Sequence, residues 1–356
     1  MKTPNRIFSG MYAGGHVQGI AVDCRRGYVY YSFTTMLLKT DLEGKPLGSV
    51  RNLAGHLGCI TYDACRDRLY GSLELKHDVI GRDITQVTGR ELSQEDAFYL
   101  VSFDVARIDR MDMDAESDGV MHAVYLRDVV ADYGSIDPVS GKLHRYGCSG
   151  IDGIALGPAF GEAADSPCKI MIAYGIYGEV DRGDNDYQVI LQLDPDVLDI
   201  YAKALNQTKP HHSGPDGCEQ RYFFYTGNTL YGIQNLEYDP FSRTWFAAVY
   251  RGEKPQFANF RLFAIDARQK PRMQLLTGRQ EQGMVLTSAK LGQEDNGIYG
   301  SMFPYGATGI YSFGNGTFYF SENGYDKEKK LFYTHLQAYR LESDALELFV
   351  KLEEEA

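Results

Sequence analysis

Five segments of this chain align without a gap over seven positions: HVQGIAV from His16, HLGCITY from His56, GIDGIAL from Gly150, GIQNLEY from Gly232 and GATGIYS from Gly306. Repetition of this kind constrains a fold more than composition does, because each unit buries its apolar face against the next copy. The fifth aligned position is aliphatic in every copy (Ile20, Ile60, Ile154, Leu236 and Ile310) and is expected in the core. The first two copies continue into Asp23 and Asp63, and the fourth into Asp239. A turn follows each copy, and then a β-rich run: YVYYSF, RLYGSL, KIMIAYG, TWFAAVY and TFYFSEN. A third run comes next: LLKTDL, YLVSFDV, YQVILQLD, RLFAID and LQAYRL. A weaker fourth completes each unit: LGSV, MHAVYL, IYAKAL, MQLL and LELFVKL.

Alternation of apolar and polar residues, punctuated by turn formers, is the pattern of strands. The 26 tyrosines, 18 phenylalanines and 38 glycines fit it, since aromatics favour strands and glycines favour tight turns and close backbone approach. The chain is predicted to be all-β, a single β-propeller domain over 1–356 with five blades of about four antiparallel strands. The blades are expected at about 16–54, 55–149, 150–231, 232–305 and 306–352. The copies start 40, 94, 82 and 74 residues apart, so every unit after the first carries insertions, near 76–97, 127–149, 206–231 and 276–305. A further blade hidden in one of these makes six the alternative count, and a β-sandwich is the alternative architecture. Residues 6–12 are expected to add an outer strand to the last blade beside LELFVKL, closing the ring.

Asp and Glu outnumber Lys and Arg by 48 to 36, and the formal net charge is −12. Broad binding to nucleic acid or to an anionic membrane needs a basic surface, so neither partner is expected. No run approaches the roughly 18 apolar residues of a membrane span. The start, MKTPNRIFSGMYAGG, lacks the apolar stretch of a signal peptide. The expected location is the cytoplasm, or the periplasm or exterior if a leader has been removed. Six cysteines without a CxxC read as reduced thiols. There is no GxSxG, Walker A or Rossmann fingerprint, so no nucleotide cofactor is expected.

The repeats also carry a chemical gradient. Two residues before the aliphatic position stand Gln18, Gly58, Asp152, Gln234 and Thr308; four before it stand His16, His56 or glycine. Side chains alternate along a strand, so these positions share a face. Burying such groups unpaired costs roughly 2–7 kcal/mol each. A ring of them either bonds to itself and to water or binds a ligand.

Through motifs such as HVQGIAVD and YGIQNLEYDP, the chain resembles bacterial β-propellers of the five-bladed type over nearly its whole length. That group includes furanosidase-type glycosidases, mannoside phosphorylases, calcium-dependent nucleotidases and tachylectin-like lectins. The resemblance implies that the first strand of each blade lines a central channel, with its start at the mouth where ligands bind. It places His16, His56, Gln18, Asp152, Gln234 and Thr308 around one opening, with Asn235 at the rim. Glycosidases of this type carry acids on the first strands of different blades. Asp152 fits that habit, whereas Gln18 stands at the equivalent place in the first blade. Some propeller polysaccharide lyases hold manganese with histidines and a glutamine, and His16, Gln18 and His56 are similar in residue type.

Imidazoles on neighbouring blades suit one divalent cation, Mn, Zn or Ca, with glutamine or carboxylate oxygen completing the shell. His144, His211 and His212 are further candidates from loops. Glycoside hydrolysis needs two carboxyls roughly 5 to 9.5 Å apart. Asp152 is the only acid at the third aligned position, and Glu74, Glu179, Glu253 and Glu322 stand at second-strand ends. Glu322 is the preferred partner, because SENG abruptly ends a strong strand. Arg251 suits a carboxylate or phosphate, and Tyr305 is one of several tyrosines offering a flat surface to a sugar ring. The expected function is a carbohydrate-processing enzyme, a glycoside hydrolase or metal-assisted lyase, with one asymmetric site at the axial funnel. Asp152 and Glu322 are its expected catalytic residues and His16 and His56 its metal ligands. Gln18, Gln234, Asn235, Thr308, Arg251 and Tyr305 are expected to bind a small molecule or oligosaccharide. A non-catalytic propeller that binds a glycan or a protein is the alternative.

Overall fold

The computed structural model describes residues 3–90, 93–342 and 347–353. Its main strands form five sheets arranged in a ring, a five-bladed β-propeller. The inner strands are Val17–Asp23, His56–Asp63, Cys148–Pro158, Thr229–Asp239 and Ile310–Ser312. Each pairs antiparallel with the next strand in sequence, and the blades build outward from there.

The aliphatic fifth position is core in all five blades, at no more than 2 % exposure. The residue just before it sets how closely the inner strands approach. A methyl group on Gly19 would lie 2.8 Å from the backbone of Cys59 and Ile60 in the second blade. One on Gly153 would lie 2.9 Å from the Ile233 carbonyl in the fourth. Gly309 packs against Ile20, which brings the fifth blade back to the first. In the fourth blade Asn235 replaces this glycine. Its Nδ2 donates to the Gln18 carbonyl at 2.7 Å and to the Ala307 carbonyl at 3.0 Å. Asn235 is therefore a tie between inner strands, with no exposure, rather than a group at the rim.

The ring closes on the third strand of the last blade, Leu331–Leu341. Arg6–Phe8 and Phe349–Lys351 lie end to end along the same edge of it, with Arg6 opposite Gln337 and Lys351 opposite Tyr339. Gln337 reinforces the seam by donating to the Leu352 carbonyl at 2.9 Å.

Two expected fourth strands are displaced. IYAKAL does not extend the third blade, because the turn at Asp194-Pro195-Asp196 leads into a short helix, Val197–Tyr201. The fourth strand there is Gln220–Tyr225, richer in aromatics, which buries Tyr222, Phe223 and Phe224. MQLL falls in Arg272–Leu275, which joins this same third sheet through Gln282–Val285. The fourth blade is edged instead by isolated pairings of Leu262 with Ser301 and of Ile265 with Ser288. Among the described residues no helix is long and apolar enough to cross a membrane.

Candidate functional site

The starts of the inner strands open into a cavity of about 700 Å³. His16, Gln18, His56, Lys76, Asp152 and Gln234 supply polar groups to its wall, and Leu230, Tyr231, Tyr250 and Phe332 supply apolar and aromatic ones. The insertion after the second strand of blade two contributes a helix, Val79–Thr88, whose Ile80, Asp83 and Ile84 also face the cavity. Asp78 caps that helix by accepting from the Gly81 amide at 2.9 Å.

His56 and Glu74 are directly opposed across the first two strands of blade two. Glu74 Oε1 accepts from the Ile151 amide at 2.6 Å. A methyl group on Gly150 would lie only 1.8 Å from that oxygen. Gly150 is the third-blade counterpart of His16 and His56, so the carboxylate of blade two occupies the space its side chain would fill. Glu74 Oε2 lies 2.7 Å from Lys76 Nζ. The ammonium also donates to the Ser149 carbonyl at 2.8 Å and lies 3.4 Å from Asp78 Oδ2. Asp152 Oδ2 accepts from Gln234 Nε2 at 2.9 Å, and the same nitrogen donates to the Tyr231 carbonyl at 2.8 Å. Asp152 Oδ1 lies 3.5 Å from His56 Nδ1, and Glu74 Oε2 lies 3.6 Å from it. That nitrogen is buried without a hydrogen-bond partner among the described residues.

This packing sorts the charges. Burial, with the charge of Glu74 beside it, pushes Asp152 up to about 7. Burial opposes charge on Lys76, but Glu74, Asp78 and Asp152 outweigh it and raise its pKa. Burial likewise opposes charge on His56, and its acidic neighbours again prevail, so its pKa rises. His16 goes the other way: burial and the neighbouring His56 lower it to about 4, so its imidazole is neutral at pH 7. One site thus contains an ion pair, a carboxyl that titrates near neutrality and a neutral imidazole. Pairs of groups whose environments drive their pKa values apart are the raw material of acid–base catalysis.

One donor atom each from His56, Glu74 and Asp152 lies within 4.8 Å of the others, so this group could hold a metal ion. The trio differs from the pair expected from the sequence: His56 belongs to it, His16 lines the cavity outside it, and two carboxylates take the remaining places. Gln18 faces the cavity with its Nε2 donating to Thr34 Oγ1 at 3.0 Å.

Other expected site residues lie elsewhere. Glu322 does not line the cavity. Its Oε1 accepts from Tyr339 OH at 3.0 Å and Lys351 Nζ at 3.2 Å, and its Oε2 lies 3.8 Å from Arg6. It pins the strands from both termini to the last blade. Arg251, Tyr305 and Thr308 line a separate cleft of about 280 Å³, which shares Tyr250 with the main cavity. Thr308 Oγ1 is 2.8 Å from Ser321 Oγ. The loop histidines stay outside both spaces: His144 meets the Tyr133 carbonyl at 2.7 Å, and His212 meets Glu95 at 2.9 Å. Lys76 and Asp83 were not singled out from the sequence. Lys76 was foreshadowed by strand alternation, since it shares a face with Glu74 two residues away. Asp83 had no such signal, because it depends on where an inserted helix folds back.

No protein-family model matches the sequence, and no curated protein matches it. Solved structures similar in fold include the apo form of the soluble aldose sugar dehydrogenase from Escherichia coli, at 7 % identity and TM-score 0.40 over 94 % of this chain and 99 % of that one. The native arabinanase from Bacillus subtilis matches at 11 % identity and TM-score 0.39, over 94 % and 97 % of the chains. A GH43 β-1,3-galactosidase with galactodeoxynojirimycin matches at 12 % identity and TM-score 0.43, over 94 % and 93 %. These likenesses assign no residue of this chain a role.

Proposed function

We propose that the axial cavity is the active site of an enzyme acting on a carbohydrate or a similar polyol by general acid–base chemistry, with Asp152 as the proton-transfer group. The observation that carries this is the placement of Asp152. It is a buried carboxyl in the wall of a cavity large enough for a small ligand, oriented by Gln234 and flanked by the Glu74–Lys76 ion pair. A carboxyl with a pKa near the working pH can both give and take a proton. The polar and aromatic side chains lining the cavity suit a sugar ring, which has hydroxyls on its edge and apolar C–H groups on its faces.

Glu74 is a positioning group here. It is 2 % exposed, and both its oxygens are engaged. It lines the cavity, but its oxygens are taken up in holding Lys76 and the Ile151 amide, and its charge raises Asp152. The groups able to act with Asp152 on a bound ligand are His16, neutral at pH 7, and Asp83 on the overlying helix. The test is a screen for bond cleavage, unsaturated product and isomerisation on neutral and acidic sugars, using the wild type and the Asp152→Asn and His16→Ala variants. Activity that survives in both variants would overturn the proposal.

A second reading is favoured by the unpartnered Nδ1 of His56 facing two carboxylates. In it the trio binds a divalent cation that polarises the substrate or a bound water. The ammonium of Lys76 already neutralises Glu74 Oε2, which favours the proton-transfer reading. Elemental analysis of the wild type beside His56→Ala separates the two. A near-stoichiometric metal lost in the variant supports the second reading, and a metal-free wild type prepared without chelator removes it.

A further inference from the structure

The cleft between blades four and five has a composition that the proton-transfer site does not explain. It is lined by Arg251, Arg261, Tyr305, Thr308, Ser321 and Asn323, and Tyr250 forms a wall common to it and to the axial cavity. Arg251 ends the second strand of blade four, Thr244–Arg251. Arg261 directly precedes the third strand, and its carbonyl accepts from the Val249 amide at 2.9 Å. The two guanidinium-bearing residues therefore stand on neighbouring strands at the same end of the blade.

Neither side chain forms an ion pair or a hydrogen bond among the described residues. Most other arginines of the molecule are engaged. Arg26, Arg66, Arg145, Arg182, Arg221 and Arg279 are all engaged by carboxylates. Arg82, Arg107 and Arg243 are held by backbone carbonyls instead, and Arg272, on a separate sheet edge, is the other arginine whose side chain has no partner among the described residues. Two arginines in one cleft are left without one, beside the hydroxyls of Thr308 and Ser321.

Arginine presents a planar fork of donors that matches carboxylate and phosphate oxygens. The net charge of −12 repels anions in general, so a local pair of uncompensated cations makes this cleft the point where an anion is accepted. We propose that the cleft is a subsite for an oxyanion carried by the substrate. The substrate of the axial cavity is then an acidic sugar, bearing a carboxylate or a phosphate on the side of Tyr250 away from the group with which Asp152 exchanges a proton. This rests on the axial cavity being the substrate site, and it deepens that reading by naming the substrate class.

The experiment measures binding of D-glucuronate, D-glucose 6-phosphate and D-glucose to the full chain by calorimetry at low salt. Wild type, Arg251→Gln, Arg261→Gln and the double variant are compared. At least one acid is expected to bind about tenfold or more tightly than glucose. Which acid does so distinguishes carboxylate from phosphate. The double variant should lose that preference while glucose binds it as it binds the wild type. Circular dichroism and melting temperature establish that the variants are folded. Acids that bind no more tightly than glucose, absence of binding included, would overturn the proposal. So would a preference retained by the folded double variant. The Asp152→Asn protein separates this from the enzymatic reading. An arginine-dependent preference for acids that persists while Asp152→Asn remains fully active leaves the subsite standing and removes the role of Asp152.

Discussion

Replacing Asp152 with asparagine should change how stability depends on pH. In the folded protein, burial and the adjacent Glu74 move this carboxyl from 3.8 to about 7. In the unfolded chain it titrates near its ordinary value. As pH rises past about 4, the unfolded chain gives up a proton that the folded protein retains, so folding stability falls. The fall continues until the folded protein itself titrates near 7. Its contribution is therefore complete below the unfolded value and lost as pH passes through the folded one. A span of about three pH units at about 1.36 kcal/mol each gives about 4 kcal/mol. That is an upper bound, since His56 and Lys76 share the field of the same carboxyl. Asparagine cannot titrate, and whatever fixed cost it brings is the same at every pH. The difference in unfolding free energy between the two proteins should therefore move toward the variant by up to about 4 kcal/mol between acidic and mildly alkaline solution. Urea unfolding over that range measures it, with the fully buried Trp245 as the fluorescent reporter. Curves that run parallel for the two proteins would refute the raised pKa. A wild type that gains on the variant as pH rises would reverse its sign.

Glu74→Gln takes from the buried ammonium of Lys76 its closest counter-charge, leaving it Asp78, Asp152 and the Ser149 carbonyl, and should cost up to about 3–5 kcal/mol, read as a fall in urea midpoint. The same change should lower the pKa of His56, measurable by NMR titration, because burial then meets less opposition. Gly150→Ala places a methyl group against the Glu74 carboxylate and strains a backbone with φ of 127°. It should destabilise the fold and shift the Asp152 titration, whereas Gly141→Ala, also at positive φ but with open space around it, should leave that titration alone. Glu322→Gln should retain full activity and cost about 1 kcal/mol or less, because Glu322 belongs to a partly exposed clamp between the terminal strands. Loss of activity in a folded Glu322→Gln protein would restore it as a catalytic candidate.

The architecture was readable because it is written locally and repeatedly. Ile20, Ile60, Ile154, Leu236 and Ile310 recur at one place in each unit, and each is buried. Closure by both termini was readable for a related reason, since a ring has one seam and the terminal segments are what lies beside it. The fourth strands of blades three and four were not. Their segments, IYAKAL and MQLL, compete with other segments for a sheet edge. The aromatic run at Gln220–Tyr225 wins the first contest and then recruits the second segment to its own sheet.

The site was legible in one dimension and obscure in the other. Along each inner strand, alternation revealed a face turning from apolar to polar, and the cavity contains His16, Gln18, His56, Asp152 and Gln234 from that face. The partner of Asp152 depended on geometry across strands. In the sequence Glu74 and Glu322 both follow a strong second-strand run and nothing local separates them, but SENG does not end its strand, which runs on to Asp326. Their difference arises from neighbours: Glu74 faces His56 and fits against a residue without a side chain, Gly150, on the next blade. Glu322 faces Tyr339 and Lys351 on its own. The glycine at the first aligned position of the third blade follows from this: the preceding blade sends a carboxylate into the space a side chain would take, whereas Gly232 and Gly306 face backbone and apolar groups. In the third blade that glycine marks the place of the buried acid, two residues from the aspartate whose proton it controls.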